Sequence, residues 1–176
     1  SSQAVIQFSP DGIIEEANAI FLKELGYTLD EIKGEHHRML IRTEFQTNPI
    51  YIAHWAALAR GESQSGEYRY KCKDGSYLWQ QGTYVPIKNA EGKVIKIVEY
   101  CLDISQQKET LEEIGRLINA VKEGKLHERA SVENATGDNL KLREDINEML
   151  NRFTAPLHEL TILMKAVAEK NLTLEM

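Results

Sequence analysis

The stretch Ser65-Gly-Glu-Tyr-Arg-Tyr-Lys-Cys72, followed by Lys73-Asp-Gly-Ser76 and then by Tyr77 to Ile87, decides the fold. From Ser65 onward the apolar residues recur with a period of two, which is the period of a strand. Lys73-Asp-Gly-Ser76 carries the Asp-Gly pair of a tight hairpin turn. Asn89-Ala-Glu-Gly92 is a second turn, and Val94 to Ile104 is the strand after it. Upstream, Val5-Ile-Gln-Phe8 alternates and runs into Ser9-Pro-Asp-Gly12, a strong turn signal; Ile13-Ile-Glu-Glu-Ala17 is the returning strand. Helical spacing fills the gap. Asn18 is placed to cap a helix through Ile20, Phe21, Leu22 and Leu25, which Gly26 ends. Thr28 to Ile32 is a short helix closed by Gly34; another helical region and a helix ending at Gly61 follow. Two strands, helices, then three strands predict an α+β fold: a five-stranded antiparallel sheet with helices on one face.

From residue 106 no strand signal remains. Leu111, Ile114, Ile118 and Val121 are spaced as a coiled-coil seam, which Gly124 breaks. The segment to Asn139 is polar. A second seam runs through Leu142, Ile146, Met149 and Phe153 and continues through Leu157, Leu160, Met164 and Val167, with a stutter between 153 and 157. A shift of 46 sets Leu111 on Leu157, Ile114 on Leu160, Leu117 on Leu163, Val121 on Val167 and Leu126 on Leu172. One helical module and the start of a second are expected, in a fragment of a longer protein.

Composition narrows the function. The chain has 176 residues, 42% hydrophobic and 27% charged, with a net charge of −6. The charge argues against a general nucleic-acid binder, and no apolar run approaches the ~18 residues of a membrane span. Cys72 and Cys101 lack CxxC spacing and read as free thiols in a reducing compartment, so a cytoplasmic location is expected. There is no phosphate loop, nucleophile elbow, pair of catalytic carboxylates or kinase motif, and no enzyme is expected.

Ile50-Tyr-Ile-Ala-His-Trp-Ala-Ala-Leu58 poses the chemical question. On a helix, Ile50, Tyr51, His54 and Leu58 share one face. Burying that face buries His54, whose imidazole then needs a hydrogen-bond partner or a metal. Both readings stand at this point. His36 and His37 are rival ligands, but adjacent side chains diverge and do not easily chelate one metal. His127 and His158 lie in the helical half and are expected to face solvent.

The first half resembles a PAS domain. The marks are Ser9-Pro-Asp-Gly12, Glu16-Ala-Asn18, Leu25-Gly-Tyr27, Asp30-Glu-Ile-Lys-Gly34, Asp74-Gly75 and Leu102-Asp-Ile-Ser105. The run Gly34-Glu-His-His-Arg-Met39 is similar to PAS domains of soluble methyl-accepting chemoreceptors. The second half resembles a HAMP module, through Gly137-Asp-Asn139 and Ile146-Asn-Glu-Met149, with Asn139 where the family usually has Glu. The resemblance implies a PAS domain over 1–105, HAMP over 106–155 and the first helix of a second HAMP over 156–176.

It also implies an oxygen or other diatomic-gas sensor with b-type haem, of the aerotaxis-receptor kind. By place in the sequence His54 matches the haem ligand, with Tyr51 and Leu58 on its face. The family sets a Trp on the last strand; Leu102 is expected there, with Val98 and Tyr100 also facing the pocket if Asp103 points outward. Tyr100 or Tyr84 is then a donor to the ligand, and Trp79 packs in the sheet. His36 and His37 are structural in this subgroup. Asp103 would relay the change to the HAMP helices, which pair in a homodimer and act on a downstream kinase-control domain and a chemotaxis histidine-kinase complex. Two alternatives remain: a cofactor-free dimerisation and relay module, or a PAS domain with flavin or another small ligand.

Overall fold

A computed structural model of the chain describes residues 3–173. The chain divides into two compact units, 1–105 and 106–176. In the first, β1 (Ala4–Phe8), β2 (Ile14–Ala17), β3 (Gln64–Lys71), β4 (Tyr77–Lys88) and β5 (Val94–Asp103) form one sheet in the order β2-β1-β5-β4-β3. Every pairing is antiparallel. The crossing from β2 to β3 carries α1 (Ala19–Leu25), α2 (Leu29–Ile32), two 3₁₀ turns (His37–Leu40 and Thr43–Phe45) and α3 (Pro49–Ala59).

The local signals act as their chemistry requires. The Asn18 side chain accepts from the Phe21 amide, and Gly26 ends α1 in the left-handed conformation at φ 78°. Asn48 caps α3, and Pro49 occupies its first turn, where no amide proton is needed. The core lies between α1–α3 and the inner face of the sheet, with Ile6, Phe8, Phe21, Ile32, Leu40, Leu58, Tyr70, Tyr84 and Ile97 fully buried.

Strand β5 corrects one expectation. Ile97, Glu99 and Cys101 point into the core, while Tyr100 and Leu102 are exposed and Val98 is half-buried on the opposite face. Val98, Tyr100 and Leu102 therefore do not line an interior pocket. Asp103, the last residue of β5, is exposed although it shares the parity of Cys101. An end residue does not report the facing of its strand, and an error of one position inverts every side chain.

The second unit holds α4 (Ser105–Lys122), which starts at the unit boundary, and α5 (Gly137–Thr173). The connector is tied down from α5: Arg143 is buried and donates to Thr110 Oγ1 and the Ser131 carbonyl, and Asn147 bonds the Ala130 backbone at both its amide and its carbonyl. Helix α5 runs unbroken through Pro156, where the second module was expected to begin. Residues 174–176 of that expected module lie outside the described residues, and of Leu172, paired above with Leu126, no side-chain placement is described.

Candidate functional site

Helix α3 sets its inner face against β3 and β4. Tyr51 and His54 are half-buried on that face and Leu58 is fully buried, whereas Ile50 is 79% exposed. Between α3, the 3₁₀ turns and the β3–β4 edge lies a pocket of about 350 Å³, at the small end of the ~300–1,000 Å³ usual for ligand sites. Tyr51, His54, Tyr68 and Tyr84 are among its walls, and Arg42 and Arg69 lie on its lining. Of the residues expected at a cofactor site, Tyr51, His54 and Tyr84 come together here. Leu58 belongs to the core instead, and Val98, Tyr100 and Leu102 are on the far face of the sheet. Trp79 also lines the pocket, beside Arg69.

His54 sits among rings: Tyr84 at 4.7 Å, Tyr68 at 5.6 Å and Trp55 at 6.1 Å between centroids, all near edge-on. Its Nε2 is buried and has no hydrogen-bond partner. Burial holds its pKa down at about 4, so the imidazole is neutral at physiological pH. A neutral imidazole with a bare inward nitrogen is the form that ligates a metal.

His37 was expected to be structural, and the structure makes it the hub of a buried polar network. Its Nδ1 lies 3.0 Å from the Tyr51 hydroxyl, and its Nε2 lies 3.1 Å from Tyr84 and 3.2 Å from Tyr70. The two phenols bond each other, and the Tyr70 hydroxyl donates to both Glu99 oxygens at 2.8 and 2.9 Å. Desolvation pushes the Glu99 carboxyl up to about 7, and burial drives the His37 imidazole down to about 3. His36 turns the other way: its Nδ1 accepts from the Arg38 amide and caps the first 3₁₀ turn. The pair does diverge, as adjacent residues on an irregular segment must.

Sequence reasoning missed Glu99 and Tyr70. The available signal was a lone carboxylate in the apolar run Val94 to Leu102, opposite two strands that carry Tyr68, Tyr70 and Tyr84. Cys101 is buried next to the carboxylate, which together with burial holds its thiol protonated; Cys72 is buried at the core's edge.

The sequence pattern of the PAS fold matches residues 14–101. The chain is 40% identical over 103 residues to the biofilm dispersion protein BdlA of Pseudomonas aeruginosa, covering 58% of this chain and 25% of that protein. It is 33% identical over 81 residues to the aerotaxis receptor of Escherichia coli, covering 46% of this chain and 16% of that one. Among solved structures, an RNA-binding light-oxygen-voltage receptor superposes with a TM-score of 0.58 at 25% identity, over 68% of this chain and 34% of the other. The chain thus spans a quarter or less of the length of these two relatives.

Proposed function

The chain belongs to the PAS-fold family, and from that premise we propose that it is a non-enzymatic signal-input module whose α3–sheet pocket takes b-type haem on His54. The observation that carries the reading is the buried, unpartnered Nε2 of His54 at an aromatic-walled pocket. An unpaired buried polar atom costs free energy, and a metal bond removes that cost. Arg42, ion-paired with Glu44, and Arg69, stacked over Tyr77 and Trp79, lie on the lining and are guanidinium groups of the kind that pair with the two carboxylates b-type haem carries. Haem, when bound, supplies an iron centre with an open position for a diatomic gas, oxygen first among them.

The chain's own residues do the rest. His54 would hold the group, and the rings of Tyr68, Tyr84 and Trp79 on the lining would shield it from water. A change at Tyr84 passes to β5, which pairs with β4 along most of its length, and so to Asp103 and α4. Asp103 Oδ1 accepts the Ser105 amide and starts α4. Residues 106–155 act as a HAMP domain and 156–176 begin a second. Their seam residues are exposed in the single chain, Leu111, Ile118, Met149, Phe153, Leu160 and Met164 among them, which supports pairing with a second copy. Two packings of that bundle would be biased by ligand only through its differential affinity for them. Output goes to a kinase-control domain and a chemotaxis histidine-kinase complex in the cytoplasm; the aerotaxis receptor among the relatives favours that destination. Among the described residues no helix is long and apolar enough to cross a membrane.

Flavin is the second reading, favoured by the light-oxygen-voltage receptor among the structural neighbours. Neither cysteine lines the pocket, so a photochemical thiol adduct is not part of it. The absorption spectrum of the purified protein, beside His54→Ala, tests both. A haem band that shifts with carbon monoxide and is lost in the variant is the expected result. A flavin spectrum overturns haem for flavin, and a colourless protein that ignores added haem leaves a cofactor-free relay module.

A further inference from the structure

Glu99 is a carboxylic acid with no exposed surface, and the proposed sensing function does not use it. The titratable groups that face it are Tyr68 and Tyr70 from β3, Tyr84 from β4 and Cys101 from β5 itself, while β1 sets Ile6 opposite. It is joined to the pocket by an unbroken chain of contacts: Glu99, Tyr70, Tyr84, His37, Tyr51. Room for the carboxylate is made at Gly82, where an added Cβ would collide with Glu99 Oε1 and the Tyr68 ring.

Each member of this chain has a fixed supply of protons, and that supply sets the direction of the bonds. When Glu99 is ionised it can only accept, so Tyr70 donates to it. The contact between the two phenol oxygens then takes its proton from Tyr84, and the Tyr84 oxygen takes one from His37 Nε2–H. His37 Nδ1 is left bare and accepts from Tyr51. A protonated Glu99 has one O–H to give, and when it gives it to the Tyr70 oxygen rather than to Cys101 Sγ, every bond turns round. Glu99 donates to Tyr70, Tyr70 to Tyr84, Tyr84 to a bare His37 Nε2, and His37 Nδ1–H to the Tyr51 oxygen. The alternative tautomer would leave the Tyr84 proton without an acceptor in a buried site, which is unfavourable. The Tyr51 proton is now free. Trp55 and Arg38, which lie near Tyr51, carry only donors and offer that proton no acceptor.

We propose that Glu99, Tyr70, Tyr84, His37 and Tyr51 form a reversible hydrogen-bond relay, through which the protonation of Glu99 decides whether the pocket offers its ligand a donor or an acceptor at Tyr51. The pocket then prefers a ligand that accepts a hydrogen bond when Glu99 carries its proton, and binding such a ligand draws a proton onto Glu99. The elevated carboxyl pKa places the change near neutrality. The relay rests on the pocket being the ligand site, and does not require that the ligand be haem.

The test is the tautomer of His37, read by ¹⁵N NMR of the purified chain with histidine-selective labelling and assigned with His37→Gln. Above the Glu99 titration the proton is expected on Nε2, and below it on Nδ1, in step with the growth of a carboxylic-acid infrared band. Glu99→Gln is expected to hold one tautomer at every pH. A tautomer that ignores the carboxyl titration of the parent protein overturns the relay, as does an unchanged switch in Glu99→Gln. If that variant does not fold, the parent's infrared and NMR midpoints alone decide, by agreeing or not. A tautomer switch in a protein that takes no haem would sink the haem reading and leave the relay standing.

Discussion

The two units of this chain treat their apolar residues in opposite ways. In residues 1–105 the large ones on the inner faces close on each other, and Phe8, Phe21, Tyr70 and Tyr84 have no exposed surface, although Ile50 and Leu102 stay exposed on outer faces. In α4 and α5 they stand in water: Phe153 is 69% exposed, and Leu111, Leu160 and Met164 are more than half exposed. Their hydrophobic spacing is equally regular, so patterning alone does not distinguish them. The inner face of the sheet is covered by helices of its own chain, whereas the seam residues of the helical unit are left exposed. The first unit has a closed core, and the second buries little that is apolar beyond Leu117, Ala120, Ala130 and Ala135.

The largest effect expected from that contrast is on a phenylalanine pair. Phe8→Ala should cost the first unit about 3–5 kcal/mol by the loss of buried area and the cavity left behind, read as a lower midpoint in urea unfolding. Phe153→Ala should leave the dilute chain within about 0.5 kcal/mol, and should weaken self-association in sedimentation. Equal losses in both would break the contrast.

The next effect follows pH. Glu99 titrates at about 7 in the folded chain against an ordinary 4.5. Between those values the folded state holds a proton that the unfolded state has released, so stability falls as pH rises through the window, by up to about 3 kcal/mol. His54 and His37 act with the opposite sign. Their folded values, about 4 and about 3, lie below 6.5, so their contribution is lost as pH falls below 6.5. Glu99→Gln deletes only the first slope. Its stability relative to the parent should climb from pH 4.5 to 7, and parallel curves for the two proteins would refute the buried carboxylate.

Gly82→Ala should cost about 1–3 kcal/mol by forcing Glu99 and Tyr68 aside, with the carboxylic-acid infrared band displaced. The smallest effect lies at the start of α1. Asn18 Oδ1 accepts from both Phe21 and Val5, so Asn18→Ala should cost about 1 kcal/mol, visible in thermal unfolding and confined to the first unit.

Most of the first unit was legible because its marks are local. Asn18, Gly26, Gly34, Asp74-Gly75 and Asn89 to Gly92 each act within a few residues of chain, and each bounds the element expected. Their ring of partners was not legible. The order β2-β1-β5-β4-β3 pairs the first strand with the last, and no local signal carries that choice. At the site, His54 was visible as a polar residue among apolar ones, and so was the Tyr51 beside it. Glu99 was hidden by an alternation assigned from Asp103, which is exposed at the last position of the strand together with Leu102 before it. His37 was hidden because its partners come from α3, β3 and β4, 14, 33 and 47 residues away.

By itself the sequence determined periods, caps and turns, since these depend on φ/ψ preferences and on spacing along one chain: strands here, helices there, an apolar seam along the helices. Only the tertiary structure decided which face of β5 is inside, which of two adjacent histidines is buried, and that three phenols share one imidazole while one of them also reaches a buried carboxyl. Those are contacts between elements distant in sequence, and their direction is set by packing against the whole of the opposite layer.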